Sequence, residues 1–266
     1  MRKIRVLLSI VIVFLLLQVI PVVPVSAITH PTPDTENTYS NVGAWLFPDG
    51  TFFCSGTLIA PTVMLTAAHC LYGFIGTEAP ILATFSKNFD EINAGNLIQA
   101  IDFHVHPLYG HDQANLYDLA VLILPEGSTT GLTPATLTTA GLLDNLSTHG
   151  NLHSVEFTSV GYGFSADWKQ GPPRFIWDGW RNYASAPLMA LTPTQVYLNI
   201  NEDATGGGGA CYGDSGGPLF LPMDGKNILV GFTTKRSDKY CRAMTTYYRI
   251  DTPWAREFLS QFMTLP

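Results

Sequence analysis

Ala210-Cys211-Tyr212-Gly213-Asp214-Ser215-Gly216-Gly217-Pro218-Leu219 is preceded by four glycines, Gly206 to Gly209, and runs on into the apolar Leu219-Phe220-Leu221. Glycine admits backbone conformations that other residues avoid, and it lets another backbone or a ligand come close. Ser215 is therefore expected on a tight turn, with amide N–H groups on the same side as its hydroxyl. A serine hydroxyl is a weak nucleophile. It works only with a base, a group that orients the base, and a site for the developing oxyanion. A glycine-rich turn holding an incidental serine asks nothing of the rest of the chain. A nucleophile asks for a histidine and a carboxylate elsewhere.

Thr66-Ala67-Ala68-His69-Cys70 supplies the histidine. It follows an apolar stretch, and the small residues before His69 leave the ring approachable. Tyr117-Asp118-Leu119-Ala120-Val121-Leu122-Ile123-Leu124 places one carboxylate at the head of an apolar strand. A carboxylate in that setting tends to be buried and needs a partner, and an imidazole N–H suits it. The order His69, Asp118, Ser215 is the chymotrypsin order among known triads.

On these residues the chain resembles the trypsin-like (chymotrypsin-fold) serine proteases. Smaller matches are Cys54-Ser55-Gly56-Thr57-Leu58-Ile59, Val105-His106-Pro107 and Val160-Gly161-Tyr162-Gly163. The resemblance spans nearly all of the chain after about residue 28. It implies an all-β fold, two six-stranded-type antiparallel β-barrels with a C-terminal α-helix. It implies that Ser215 attacks the scissile carbonyl, that His69 moves the proton, and that Asp118 fixes the histidine tautomer. The N–H groups of Gly213 and Ser215 would form the oxyanion hole. The pairing of the four cysteines, which alone allow three connectivities, is implied as Cys54–Cys70 and Cys211–Cys241. The primary specificity pocket is implied at Gly209, Ala210, Thr234 and Arg236. Gly209, six residues before Ser215, stands where a buried aspartate would select Arg and Lys, so strict cleavage after basic residues is not expected. Lys235 and Arg236 read as solvated loop charges; facing the pocket, either would attract an acidic side chain.

Residues 1–27 read as a secretory signal peptide: Arg2, Lys3 and Arg5, then an apolar Val6 to Ile20, then Val25-Ser26-Ala27 as a small-residue cleavage site. Cleavage after Ala27 leaves Ile28 as N-terminus. In the resembling family a new Ile or Val ammonium pairs with the aspartate before the catalytic serine, here Asp214. Ile28-Thr29-His30-Pro31 stands where Ile-Val-Gly-Gly is usual. Signal peptidase itself is thus expected to make the activating end. The competing reading makes residues 28–41 a loose leader.

The 266 residues are 46% hydrophobic and only 13% charged, with 24 Gly and 18 Pro. That excludes a disordered chain and suits a turn-rich β fold. Without residues 1–27 the chain keeps 11 basic and 21 acidic side chains and no basic run, which argues against nucleic acid or anionic membrane as a partner. The expected product is a secreted monomer acting on polypeptide substrates, with protein inhibitors as further partners, and needing no cofactor.

Residues 28–140 are expected to form the first barrel, 141–250 the second and 251–266 the helix, all within one peptidase domain. Pro48-Asp49-Gly50 is a hairpin signal. His104 and His106 alternate and would share one strand face, but with His111 and Asp112 they are read as structural. Asp90-Glu91 is too small a set for calcium, and no metal is expected. Asn145-Leu146-Ser147 is a glycosylation acceptor in form. Residues 125–152 read as the crossing between barrels. The aromatic run Phe175 to Tyr183 reads as barrel strand or core in preference to a carbohydrate platform. Thr252, Pro253 and the four-residue recurrence of Trp254, Phe258 and Phe262 mark the terminal helix, which the resemblance implies is packed on the second barrel. Two other functions compete. A non-catalytic homologue acting as a binding module would usually lack one of the three triad residues. An esterase of the α/β-hydrolase kind would carry its serine first.

Overall fold

The computed structural model describes residues 28–150, 152–167, 174–236 and 239–266. The expected signal peptide lies outside the described residues. The chain opens with β1 (Thr32–Pro33), then builds β2 (Val42–Leu46) and β3 (Phe52–Ala60) around Pro48-Asp49-Gly50. Gly50 takes φ +83°, and the turn is closed by Gly50 N–H to Phe47 C=O and Phe47 N–H to Thr51 C=O. β4 (Val63–Thr66), β5 (Leu82–Thr84), β6 (Ile98–Gln99), β7 (Asp102–Val105) and β8 (Ala120–Ile123) complete a seven-stranded sheet in the order β6-β5-β2-β3-β4-β8-β7. It curls into a half-barrel. The stretch Leu97 to Val105 is broken into two strands and not continuous.

The second sheet comprises β1, β9 (Thr136–Leu137), β10 (Glu156–Gly161), β13 (Asn182–Leu191), β14 (Gln195–Asn199), β15 (Pro218–Met223), β16 (Lys226–Arg236) and β17 (Met244–Arg249); β11 (Ser165–Asp167) and β12 (Arg174–Ile176) form a separate hairpin. Six strands, β13-β10-β15-β16-β17-β14, close on themselves through the β13–β14 pairing. Sequence order and sheet membership part company twice. β1 pairs with β13, and β9 pairs in parallel with β16, so pieces of the first 140 residues belong to the second barrel. Residues 125–152 hold a helix, Leu142–Thr148, as well as a crossing; Asn145 lies on it, exposed.

Two expectations change. Phe175 to Tyr183 is not one strand: β12 ends at Ile176 and β13 begins at Asn182. Phe175 and Trp177 stay about 40% exposed, with Phe175 edge-on to Tyr212 at 5.0 Å and Trp177 at 5.0 Å from Phe89. The C-terminal helix, Pro253–Leu259, has Thr252 at its N-cap, but the threonine hydroxyl is buried and makes no capping bond. Pro253 removes one N–H that a cap would serve. The helix was expected on the second barrel. It ends at Leu259, short of the expected 266, and meets the first: Phe258 lies 5.1 Å from the His106 ring, and Phe262, past the helix end, 4.9 Å from His104. Phe258 and Leu259 thereby join the core shared by both sheets, with Leu58, Leu65 and Val121 from the first and Phe220, Phe232 and Tyr248 from the second. His69 and Asp118 stand beside members of this core in the chain, Ala68 and Cys70 for the first and Leu119 for the second.

Candidate active site

β4 ends at Thr66, and Ala67 turns the chain with extended φ/ψ into the short helix Ala68–Leu71. Ala68, Cys70 and Leu71 are buried, so His69 is the one residue of the helix turned outward. Its Nδ1 lies 2.8 Å from Asp118 Oδ2, and its backbone N–H donates to Asp118 Oδ1 at 2.8 Å. An ionised carboxylate only accepts, so Nδ1 carries the proton and Nε2 keeps the lone pair a base needs. The carboxylate is 7% exposed and the imidazole 32%.

Asp118 is aimed by a strained turn. Tyr117 sits at φ +48°, a region costly for a bulky residue. The Asn115 side chain holds this conformation by accepting the Tyr117 N–H at 3.2 Å and the Tyr248 hydroxyl at 2.8 Å. Tyr248 belongs to β17, so the second barrel grips the loop that carries the first sheet's carboxylate. The His106 ring stacks on Tyr117 at 4.6 Å, and burial pushes its imidazole below the ordinary value. His104 stays on the exposed part of β7, 3.3 Å from Asp102. His106 lies past the strand end and turns inward, so the two do not share a face.

The Ser215 backbone approaches the segment that carries His69. Its carbonyl accepts the Ser55 N–H at 2.9 Å and lies 4.0 Å from the Cys70 sulfur. Cys54 and Cys70 are joined, as are Cys211 and Cys241. A nitrogen of His69 and the sulfurs of Cys54 and Cys70 fall within 4.8 Å of one another, but bonded sulfurs are not free thiolate ligands. Gly213 takes φ +90°, and a Cβ there would lie 2.9 Å from Gly163 Cα and 2.6 Å from the Phe52 ring. Only glycine fits. Among the described residues, the N–H groups of Gly213 and Ser215 have no protein acceptor, which leaves both for a ligand oxygen. The Ser215 hydroxyl makes no hydrogen bond to His69 among the described residues. Such bonds are often long before substrate binds.

Asp214 points away from solvent. It is fully buried; Oδ1 accepts the Gly163 N–H and Oδ2 the Cys211 N–H, each at 2.8 Å. Burial raises its carboxyl to about 7, against the pull of those two bonds. No cation pairs with it among the described residues. Nearby, Ile28 is fully buried. Thr29 N–H donates to Gly209 C=O at 3.0 Å, and Gly209 N–H donates to Thr29 Oγ1 at 3.0 Å. The glycine run is explained by this docking: a Cβ on Gly208 would fall 1.8 Å from the Thr29 carbonyl oxygen.

At the expected pocket, a Cβ on Gly209 would meet Ile200 Cγ2 at 2.5 Å and the Tyr247 hydroxyl at 3.3 Å. An aliphatic side chain and a phenol of the second barrel's core thus exclude any side chain at position 209. Tyr247 Oη bonds Ser159 Oγ. Ala210 C=O accepts the buried Thr245 hydroxyl at 3.0 Å, and Thr234 Oγ1 donates to Thr246 C=O at 3.2 Å. The β16–β17 register shifts between Thr233 and Lys235, so Thr234 lies in a bulge, a device that re-aims side chains beside active sites. Lys235 is exposed; the Arg236 side chain lies outside the described residues. Ile200, Thr245 and Tyr247 were not singled out from the sequence, and Met244 to Arg249, buried on both faces, offers no alternation that would mark them.

A closed antiparallel barrel beside a curled sheet, with histidine, aspartate and a glycine-bound serine at their junction, defines a chymotrypsin-like protein. The chain belongs to the trypsin family, whose family profile matches residues 34–255. It is 37% identical to brachyurin from Leptuca pugilator over 183 residues, 66% of this chain and 74% of the relative. It is 29% identical to a trypsin from Saccharopolyspora erythraea over 200 residues, 72% and 78% of the two chains. It is also 29% identical to glucanase inhibitor protein 4 from Phytophthora infestans over 217 residues, 79% and 78%. The solved structure of HL collagenase superposes with a TM-score of 0.65 at 18% identity, over 88% of this chain and 97% of that one; at that identity it speaks for the fold. Among the described residues no helix is long and apolar enough to cross a membrane.

Proposed function

We propose that the protein is a secreted, monomeric serine endopeptidase that cleaves polypeptides through an acyl-enzyme. The observation that carries this is the His69–Asp118 contact, made twice at 2.8 Å with the carboxylate buried. It holds the imidazole with Nε2 free to take a proton from Ser215. In the proposed reaction Ser215 Oγ attacks the carbonyl as its proton passes to Nε2. The oxyanion forms against the unpaired N–H groups of Gly213 and Ser215. His69 returns the proton to the leaving amine, and water repeats the sequence on the acyl-enzyme. Of the residues proposed for the specificity pocket, Gly209, Ala210 and Thr234 carry no charge, which suits aromatic or medium apolar side chains. A binding module that had lost catalysis would have no use for a carboxylate aligned on an imidazole.

The proposed active form begins at Ile28, with its ammonium on Asp214. A buried carboxylate raised to about 7, with no cation on it among the described residues, supports this, as does the docking of Thr29 on Gly209. The test is cleavage of a denatured protein mixture by the secreted protein, with every new terminus read by mass spectrometry beside a Ser215→Ala control. Cuts after aromatic or large apolar residues, absent from the control, are expected. Cuts after Asp or Glu would overturn the uncharged pocket, and identical termini in both samples would overturn the endopeptidase. Edman sequencing of the active protein should begin at Ile28; a start near Tyr39 or Val42 would remove the Asp214 pair.

A further inference from the structure

Arg181 is a cation buried completely, with Asp34 beside it only 1% exposed. Taking such a pair out of water is costly unless every group finds a partner. Here they do. Arg181 Nε donates to Asp34 Oδ2 at 2.8 Å. Nη1 donates to Val42 C=O, Phe85 C=O and the Tyr162 hydroxyl at 3.0, 3.2 and 3.2 Å, and Nη2 to Asn37 Oδ1. Asp34 accepts in addition the N–H groups of Thr38 at 2.7 Å and Tyr39 at 3.0 Å. Three parts of the molecule meet at this one guanidinium: the N-terminal segment at Asp34 and Asn37, the first sheet at Val42 and Phe85, and the second at Tyr162.

Both of the segments that the proposed pair would bring to Asp214 start from this junction. One runs back along the chain from Asp34. Thr32 and Pro33 pair with Tyr183 and Asn182, and Thr29 then docks on Gly209, with Ile28 buried behind it. The other runs one residue forward from Tyr162 to Gly163, whose N–H holds Asp214 Oδ1. A fork of fixed geometry with all three of its nitrogens engaged sets a register, which an apolar contact of equal size does not. We infer that Arg181, acting through Asp34, is a positioning residue for catalysis. It locks the N-terminal segment in the register that brings Ile28 and Thr29 against the glycine run, and so holds the Ser215 loop in its working shape. This rests on the endopeptidase reading and on Ile28 as the active N-terminus.

The experiment compares the mature protein with Arg181→Met, Asp34→Asn and Asn37→Gly. The last keeps a residue suited to φ +58° and removes only one acceptor at an exposed position, so it folds even where the first two do not. Steady-state hydrolysis of a small ester and hydrogen exchange by mass spectrometry are read on each. A displacement of the Ser215 loop by about 1 Å is expected to lower kcat about 10²-fold in Arg181→Met and Asp34→Asn. Asn37→Gly, which loses one hydrogen bond, is expected to lower it about three- to tenfold. In all three, exchange should rise in residues 28–33 and 207–216 while residues 63–66 and 120–123 keep their protection. Wild-type kcat in the Asn37→Gly variant with unchanged exchange at 28–33 overturns the inference. So does exchange that rises equally in β4 and β8, because the pair would then serve stability alone. A wild-type protein that turns over no ester overturns the endopeptidase reading itself, a result distinct from an active wild type with equally active variants.

Discussion

Retaining one residue before Ile28 should make the protein lose stability as pH rises, by an amount set at Asp214. Its carboxyl is raised from 3.8 to about 7, chiefly by burial. A group whose folded value lies above its unfolded value binds more protons in the folded state. Between about pH 4 and pH 7 the stability therefore falls as pH rises. At 1.36 kcal/mol per pH unit, the gap corresponds to about 4 kcal/mol by pH 7, a large part of the 5–15 kcal/mol typical of a folded domain. An ammonium brought to Asp214 cancels this penalty by favouring the charged form. The comparison is between two Ser215→Ala proteins, one starting at Ala27 and one at Ile28, unfolded in urea at several pH values with linear extrapolation. Groups common to both cancel in the difference. That difference should be near zero at pH 4, grow to about 4 kcal/mol by pH 7, and shrink again at alkaline pH as the terminal ammonium, ordinarily near 8, deprotonates. A difference that stays flat from pH 4 to pH 8 would refute the pairing of Ile28 with Asp214.

Other substitutions probe the remaining parts. Gly213→Ala forces a Cβ onto Gly163 Cα at φ +90° and should lower kcat by about 10²- to 10³-fold, the loss of one oxyanion donor, with little change in KM; a raised KM alone would remove Gly213 from the oxyanion site. Tyr248→Phe takes one donor from Asn115, which supports the strained Tyr117 beside Asp118. At about 1 kcal/mol for the bond, kcat should fall about fivefold with KM unchanged, and an unchanged kcat would free Asp118 from that support. Gly209→Asp should not create an Arg- or Lys-specific enzyme, because its Cβ would strike Ile200. Overpacking of about 1–3 kcal/mol should appear as a lowered melting temperature, whereas a new preference for basic residues in terminus mapping would show that Ile200 yields.

Local chemistry explains which parts of this arrangement were legible in the sequence. Thr66 to Cys70, Asp118 to Ala120 and Gly213 to Pro218 carry their demands within a few residues, since a nucleophile, a base and a turn each need particular neighbours. β13 was not legible. Asn182 to Leu191 holds Pro187 and several small residues, with no alternation of large apolar side chains; it is a strand because β10 pairs with one edge and β14 with the other. The crowding at Gly209 was hidden for a related reason. The glycine reads as room for a side chain until Ile200, on the segment after β14, is seen against it. The terminal helix announced itself through Trp254, Phe258 and Phe262, but not its docking site, because the rings it meets on β7 and just beyond it are more than 150 residues earlier in the chain.

Arg181 is the sharpest case. Between Trp180 and Asn182 nothing marks it as buried, and its partner Asp34 lies 147 residues away. A charged side chain reads as solvated surface from sequence because most are. It becomes an interior group only when the fold supplies five acceptors around it, and the fold does so where both sheets and the N-terminal segment meet. The residues that touch substrate and the residues that hold them thus follow different rules. The first are bound by reaction chemistry to short motifs. The second are bound only to one another, across the chain, as Arg181 is to Asp34 and Asn37.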